Sequence, residues 1–337
     1  MHLPKFEHFY PASIKEAARL LKKHGSIARL AAGGTDLFPR MKHGLTQPEV
    51  VVSLKGLSID SRIVIKGSKL HLNALMPLAD IAHAAEVRRN APLLAEAILS
   101  VGSNQIRQMG TLGGNICLEN RCAYYNQSHT FQFVEPCFKR DGSRCYLIPK
   151  GKKCVAVFQA DTVPALICLD AKVEIIAADS SRQLLLEKLY TGDALKPLSL
   201  SQDEIVGAVI IPQPAAVRGT AFSKFSIRGG VEFAAITVAV RLDMASKGGR
   251  CAAARITVGS AAAGPLSARK AEKAMAGEPY SDKLFEEIAD IVAGEIRPVM
   301  HHGYSIPFLK ECLKTQTYRT LVLAAERAEN NRKSETV

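Results

Sequence analysis

The sequence predicts a globular chain of mixed helices and strands in two or three domains, and three observations carry that expectation. Apolar runs of strand length alternate with stretches of helical period from one end to the other. The 337 residues exceed what one hydrophobic core usually encloses. Pro212-Gln213-Pro214 interrupts the pattern before a fresh series of strands, so a second domain is expected to begin near Arg218.

Taken in order, Ser13-Ile14-Lys15-Glu16 is a capping box, Ile14, Ala17, Ala18 and Leu21 share one face, and Gly25 closes the amphipathic helix. Residues 27–32 form an apolar strand running into Gly33-Gly34-Thr35-Asp36-Leu37. Paired glycines let the backbone approach a ligand, and successive N–H groups make an anion-binding nest, although a plain tight turn explains the same residues. The spacing is not G-x-G-x-x-G, which disfavours the ordinary dinucleotide-binding fold. Residues 50–54 are a strand, 62–66 and 70–74 alternate about Gly67-Ser68 as a hairpin, and 77–86 and 92–100 are short helices. A second glycine pair, Gly113-Gly114-Asn115, follows Arg107 and Thr111. Two such turns suit the two ends of one pyrophosphate.

In the second half, residues 164–169 are an apolar element, 172–177, 220–224, 234–242 and 255–259 are strands, and Arg228-Gly229-Gly230 is a connection. Residues 267–276, 281–295 and 308 to about 327 are helical, and a polar, flexible tail is expected from 328. Lys224 reads either as a solvated charge at a strand edge or as an ammonium facing a flavin carbonyl. Cys168, Cys251 and Cys312 read as core thiols, while Cys117 stands close behind the second glycine turn.

The least regular stretch lies in the middle. Cys122, Cys137, Cys145 and Cys154, half of the eight cysteines, fall within 33 residues with 14, 7 and 8 residues between successive members. Pro136, Asp141-Gly142-Ser143 and Pro149 separate them, which is loop chemistry without an apolar period. So long an excursion needs something other than its own core to order it. No charged and apolar leader opens the chain, which argues against disulfides. The paired C-x(2–4)-C knuckles of structural zinc are missing as well. On spacing alone a four-iron cluster, a zinc ion and unligated thiols all stay open.

The formal net charge is +12, which suits an anionic cofactor or an acidic protein partner. The basic residues are scattered without aromatic interleaving, so no nucleic-acid binding is expected. No apolar run approaches the ~20 residues of a membrane span, and a cytoplasmic protein is expected. A zinc-stabilised, non-catalytic adaptor is the competing class.

Ala31-Ala32-Gly33-Gly34-Thr35-Asp36-Leu37, Thr111-Leu112-Gly113-Gly114-Asn115, Asp161 before Pro164-Ala165-Leu166, and Phe222-Ser223-Lys224 with Glu232-Phe233-Ala234 together resemble the flavoprotein of the xanthine dehydrogenase family of molybdenum hydroxylases. The resemblance spans nearly the whole chain and implies an α+β fold. It implies a vanillyl-alcohol-oxidase-like (PCMH-type) FAD-binding domain of two subdomains over 1–216, and an α+β C-terminal domain of CO dehydrogenase flavoprotein type over 217–327. The insertion over about 118–158, opening with Arg121-Cys122-Ala123-Tyr124-Tyr125-Asn126-Gln127-Ser128, is similar to that of the β subunit of 4-hydroxybenzoyl-CoA reductase. That likeness implies a 4Fe-4S cluster on Cys122, Cys137, Cys145 and Cys154.

Carried over residue by residue, the family's FAD contacts fall on Leu30, Ala31, Ala32, Gly33, Gly34, Thr35, Asp36 and Leu37, then on Val101, Asn104, Arg107, Thr111, Gly113, Gly114 and Asn115. Asp161 and Val206 complete them, with Lys224 near the isoalloxazine, and no catalytic residue is implied. The family often has Asp where this chain has Glu232, and a Pro-Thr pair at Gly264-Pro265. The implied role is electron transfer from a ferredoxin-like donor, through cluster and FAD, to a 2Fe-2S small subunit and a molybdopterin-binding large subunit in a heterotrimer dimerised as (αβγ)2. There an aromatic CoA thioester would lose its phenolic hydroxyl. A hydroxylase of a purine or another heteroaromatic compound is the alternative within the family.

Overall fold

The computed structural model describes residues 2–57, 63–127, 135–213, 217–245 and 250–335. Its first helix forms as the capping box dictates: Ser13 Oγ accepts from the Glu16 N–H at 3.1 Å and the Glu16 carboxylate accepts from the Ala12 N–H at 2.7 Å. The helix Ile14–His24 ends where Gly25 turns left-handed, and it buries Ala17, Ala18 and Leu21. These pack on a three-stranded parallel sheet ordered Glu7–Phe9, Val50–Ser53, Ala28–Ala31. The central strand, Val50-Val51-Val52-Ser53, is buried at every residue, as a strand covered on both faces must be.

A five-stranded antiparallel sheet stands beside it, in the order Val64–Lys66, Lys69–Asn73, Ile205–Pro212, Lys172–Ile176, Ser181–Leu185. The expected hairpin is its first pair, with Arg62 outside the described residues. The middle strand, Ile205–Pro212, is not among the strands expected from sequence, yet it pairs along both edges. The helix expected over 77–86 is two, Leu78–His83 and Ala85–Asn90, because Ala84 between them is extended. Residues 164–168 belong to the helix Thr162–Cys168, buried at every position, and Leu169 caps its end. The second glycine pair is no turn either: Thr111 accepts from the Gly114 N–H at 3.1 Å and so caps the short helix Leu112–Ile116.

Beyond 216 the chain builds a four-stranded antiparallel sheet, ordered Leu266–Ser267, Cys251–Gly259, Ile236–Met244, Arg218–Phe225. The helices Arg269–Met275 and Ile306–Glu335 cover it, with Asp282–Glu295 packed on both helices. Its other face rests on Thr162–Cys168: Cys168 donates its thiol to the Ala239 carbonyl at 3.1 Å, and Arg241 donates to the Cys168 carbonyl at 2.6 Å. Residues 214–216, where the domain junction is expected, lie outside the described residues, as do 336 and 337.

The last helix runs on to Glu335, through residues 328–335 where a flexible tail is expected. Arg327 Nη1 donates to the Thr220 carbonyl at 2.7 Å and Asn331 Nδ2 to the Arg218 carbonyl at 2.8 Å, which tie the helix end to an edge strand. Among the described residues no helix is long and apolar enough to cross a membrane.

Gly219 sits so close beneath this helix that a Cβ would stand 1.8 Å from the Ala324 carbonyl oxygen and 2.5 Å from the Ala328 nitrogen. Gly219→Ala is therefore expected to destabilise by about 1–3 kcal/mol through overpacking against backbone. Urea unfolding measures this, and an unchanged midpoint contradicts the packing.

Candidate cofactor site

The strand Ala28–Ala31 runs into the first glycine pair, and at Gly33 no other residue fits: a Cβ would stand 1.9 Å from the Met109 carbonyl oxygen. Gly34 follows at φ 71°, in the left-handed region. The first glycine segment therefore rests directly on the chain leading into Thr111. Among the described residues, the N–H groups of Gly33, Gly34 and Thr35 have no protein acceptor, which leaves a nest able to receive an anion.

Between these segments, the five-stranded sheet and residues 227–233 of the C-terminal half opens a cavity of about 940 Å³. Leu30 through Leu37 line it without a gap, as do Val101, Thr111, Gly113, Gly114, Asn115, Asp161 and Val206. Three expected contacts lie off the wall. Asn104 is exposed on the helix Asn104–Met109, and Arg107 turns back to donate to the Val101 carbonyl at 2.8 Å. Lys224 lies behind the wall, donating to Asp161 at 2.7 Å and to the Ser100 carbonyl at 2.9 Å. Its neighbours are thus a carboxylate and a carbonyl, and neither a solvated edge nor the cavity itself.

Sequence reasoning missed Arg40, Glu119, Arg121, Gln159, Phe233 and His302, all on the cavity wall. Of these, Arg121 and Phe233 stood within quoted motifs and Gln159 stood two residues before Asp161. Several buried polar atoms on this wall lack a protein partner: Asp161 Oδ1, Gln159 Nε2, Arg40 Nε and Arg121 Nε. Each such group costs about 1–3 kcal/mol if left unpaired. A large polar ligand with an anionic centre fits these donors and acceptors, and FAD is such a molecule.

Burial pushes the Asp161 carboxyl up to about 6, with the Lys224 ammonium opposing the shift. At the rim, Glu232 accepts from the Ile227 and Arg228 N–H groups at 2.8 and 2.9 Å and from Arg228 Nε at 2.8 Å, which holds its carboxyl below the usual range. His302 lines the same rim on a left-handed backbone, and burial, with the neighbouring His301, lowers its pKa.

The four clustered cysteines come together. Cys122, Cys137, Cys145 and Cys154 line one small second cavity with Tyr124, Tyr125, Phe138 and Tyr146, and none is in a disulfide. The Phe138 N–H donates to the Arg144 carbonyl and the Gly142 N–H to the Cys137 carbonyl, both at 2.9 Å, folding the loop back on itself. The Ile148 N–H donates to the Cys145 sulfur at 3.4 Å, and the main-chain N–H groups of Tyr125, Tyr124 and Ala156 favour the thiolates of Cys122 and Cys154. Burial raises the Cys122 and Cys154 thiols, and these N–H groups pull partly against it. Among the described residues, no three His, Cys, Asp or Glu side chains converge as a single metal ion requires. The thiols line the walls of the void and do not meet at a point. Residues 128–134 of the insertion, Ser128 among them, lie outside the described residues. Cys117 is on the large cavity instead, where burial pushes its thiol up to about 12.

Residues 4–214 match the family described as FAD binding domain in molybdopterin dehydrogenase, and residues 220–323 match the CO dehydrogenase flavoprotein C-terminal domain. The chain belongs to the FAD-binding family of the molybdopterin dehydrogenases. This flavoprotein is similar to the nicotinate dehydrogenase FAD-subunit of Eubacterium barkeri, 26% identical over 92% of each chain. It is similar also to the carbon monoxide dehydrogenase medium chain of Afipia carboxidovorans, 28% identical over 82% of this chain and 83% of the relative. Its fold matches a chain of carbon monoxide dehydrogenase from Hydrogenophaga pseudoflava with a TM-score of 0.80 at 24% identity, covering 97% of this chain and 99% of the other. The expected α+β architecture is therefore the one observed, and the chain is an FAD-binding, medium-type oxidoreductase subunit of the molybdenum hydroxylase family.

The folded flavoprotein binds the Asp161 proton more tightly than the unfolded chain does between the ordinary value of 3.8 and about 6. In that window the group's contribution to stability falls as pH rises, because the native state holds more protons. Urea titrations of FAD-free protein should show Asp161→Asn gaining on wild type as pH rises through the window. A stability difference that does not vary with pH contradicts the buried carboxyl.

Proposed function

We propose that this chain is the FAD- and 4Fe-4S-containing electron-transfer subunit of a complex like 4-hydroxybenzoyl-CoA reductase. The observation that carries the reading is the convergence of Cys122, Cys137, Cys145 and Cys154, spread over 33 residues of chain, on one cavity, with the Ile148 N–H directed at the Cys145 sulfur. A cubane holds its four thiolates farther apart than a single tetrahedral ion does, so thiols spread around a void suit it better than zinc. Hydrogen bonds to the sulfurs are one of the means by which a protein tunes such a centre.

FAD would be held by the two glycine segments, with Arg40 and Arg121 at the wall and Asp161 and Gln159 offering an acceptor and a donor. Together the two groups supply one- and two-electron chemistry. The chain's own residues position and insulate. Gly33 brings the first glycine segment against the Met109 carbonyl, Lys224 fixes the Asp161 carboxylate, and Tyr124 and Tyr146, with ring centroids 5.6 Å apart, wall the thiol cavity. A molybdopterin-binding large subunit, a 2Fe-2S small subunit and a ferredoxin-like donor complete the proposed assembly, an (αβγ)2 dimer of heterotrimers in the cytoplasm. The basic net charge of +12 suits docking of an acidic donor.

The relatives named nicotinate dehydrogenase, nicotine 6-hydroxylase and caffeine dehydrogenase favour a second reading, in which the molybdenum partner takes a nitrogen heterocycle. A zinc-stabilised adaptor without flavin is at odds with the FAD-family match over residues 4–214.

Cys137→Ser, purified without oxygen, is expected to lose most of its iron and its broad visible absorbance while keeping FAD. Cys168→Ser is expected to keep both, because the Cys168 thiol is buried against Ala239 and Thr257. Iron lost from Cys168→Ser and retained in Cys137→Ser would falsify the ligand assignment.

A further inference from the structure

The two cavities share a wall of charged side chains. Asp36, Arg40, Glu119 and Arg121 line the large cavity, and Tyr125 and Lys139 line the thiol cavity. Lys139 Nζ stands 2.5 Å from Glu119 Oε1, and Arg40 Nη2 donates to the Tyr125 hydroxyl at 3.2 Å. Arg40 also stands 3.7 Å from both Glu119 and Asp36, and Asp36 is paired with Arg121. The chain of charges Lys139–Glu119–Arg40–Asp36–Arg121 thus begins two residues after Cys137 and ends one residue before Cys122.

This wall is largely out of solvent. The Lys139 side chain is 6% exposed and those of Arg40 and Arg121 are 14% and 13% exposed. Lys139 is held further by the Ala194 carbonyl at 2.9 Å and by the Tyr125 ring, whose centroid lies 5.3 Å from Nζ. Exposed ion pairs contribute little, but in a desolvated chain the loss of one member leaves its neighbour's charge uncompensated. Each member therefore constrains the next.

Resting on the reading of both cavities as cofactor sites, we infer that Lys139 and Glu119 are positioning residues that couple them. With the large cavity filled, Arg40 and Glu119 are held from the flavin side. They in turn hold Tyr125 and Lys139, and these order the loop that carries the four thiols. The coupling is reciprocal by linkage, so order in the thiol loop tightens binding in the large cavity.

The test needs no metal. In the full chain stripped of metal and flavin, alkylation of each cysteine by iodoacetamide is followed by peptide mass spectrometry, with and without saturating FAD. In wild type, FAD is expected to slow alkylation of the pocket cysteines at least about fivefold, the lower end of usual coupling strengths, and to leave Cys312 unchanged. In Lys139→Met the protection should shrink to less than about twofold, with flavin fluorescence quenching showing FAD still bound. The shape-conserving Glu119→Gln carries the same comparison where Lys139→Met does not fold. Equal rates with and without FAD in wild type overturn the inference outright, and so does protection undiminished in the variants. Failure of the underlying cofactor reading is seen separately, as no uptake of iron and sulfide on reconstitution with ferrous iron and sulfide.

Discussion

A glycine that tolerates no side chain sets the geometry of this molecule. Gly33 lies against the Met109 carbonyl, so the end of the parallel sheet meets the chain entering Thr111 backbone to backbone. That chain is itself bound to the neighbourhood of the five-stranded sheet. Leu78 N–H donates to the Gly110 carbonyl at 2.8 Å, Leu112 N–H to Met76 at 3.1 Å, and Gly113 N–H to Ala74 at 2.7 Å. One close approach, Gly33 on Met109, therefore joins the two sheets and makes facing walls of segments far apart along the chain. Among the described residues it also leaves the N–H groups of Gly33, Gly34 and Thr35 without a protein acceptor at the meeting point. An anionic cofactor offsets that deficit.

The C-terminal sheet is placed by charge as well as by packing. Arg241 donates to the Cys168 carbonyl and to Asp170, each at 2.6 Å, and Arg255 pairs with Asp170 at 2.7 Å. These contacts dock the sheet on the far end of the helix Thr162–Cys168, whose near end carries Asp161. The same docking delivers Lys224 from the strand Arg218–Phe225 to the Asp161 carboxylate. The pair is almost fully buried, at 5% and 9% side-chain exposure, where removal of one partner costs about 3–5 kcal/mol. Cavity and domain junction are thus one construction.

Where local chemistry dictates local structure, the sequence was legible. Ser13 and Glu16 marked a helix because their side chains satisfy N–H groups at its start, and the glycine pairs marked a cavity because only glycine permits the approach at Gly33. The cysteines were legible as a group through their density in a loop. The strand Ile205–Pro212 was not, because a run buried on both faces lacks the alternation that separates strand from helix. The helical continuation past 328 rests on bonds to Thr220 and Arg218, which no local period reveals. Nor were Arg40, Glu119 and Lys139 legible as site residues. Charge pairs formed across 20 to 85 residues of chain, as between Glu119 and Lys139 or Asp36 and Arg121, leave no mark on either neighbourhood.

In the proposed reading, one chain holds a flavin and an iron–sulfur cluster on two sides of a single charged wall. Iron, zinc, acid-labile sulfide and flavin content, measured on full-length protein purified without oxygen together with its visible spectrum, tests it most directly. About four iron and four sulfide per FAD are predicted. FAD accompanied by stoichiometric zinc, or by no metal, contradicts the claim and leaves a flavoprotein of the same fold without a second redox centre.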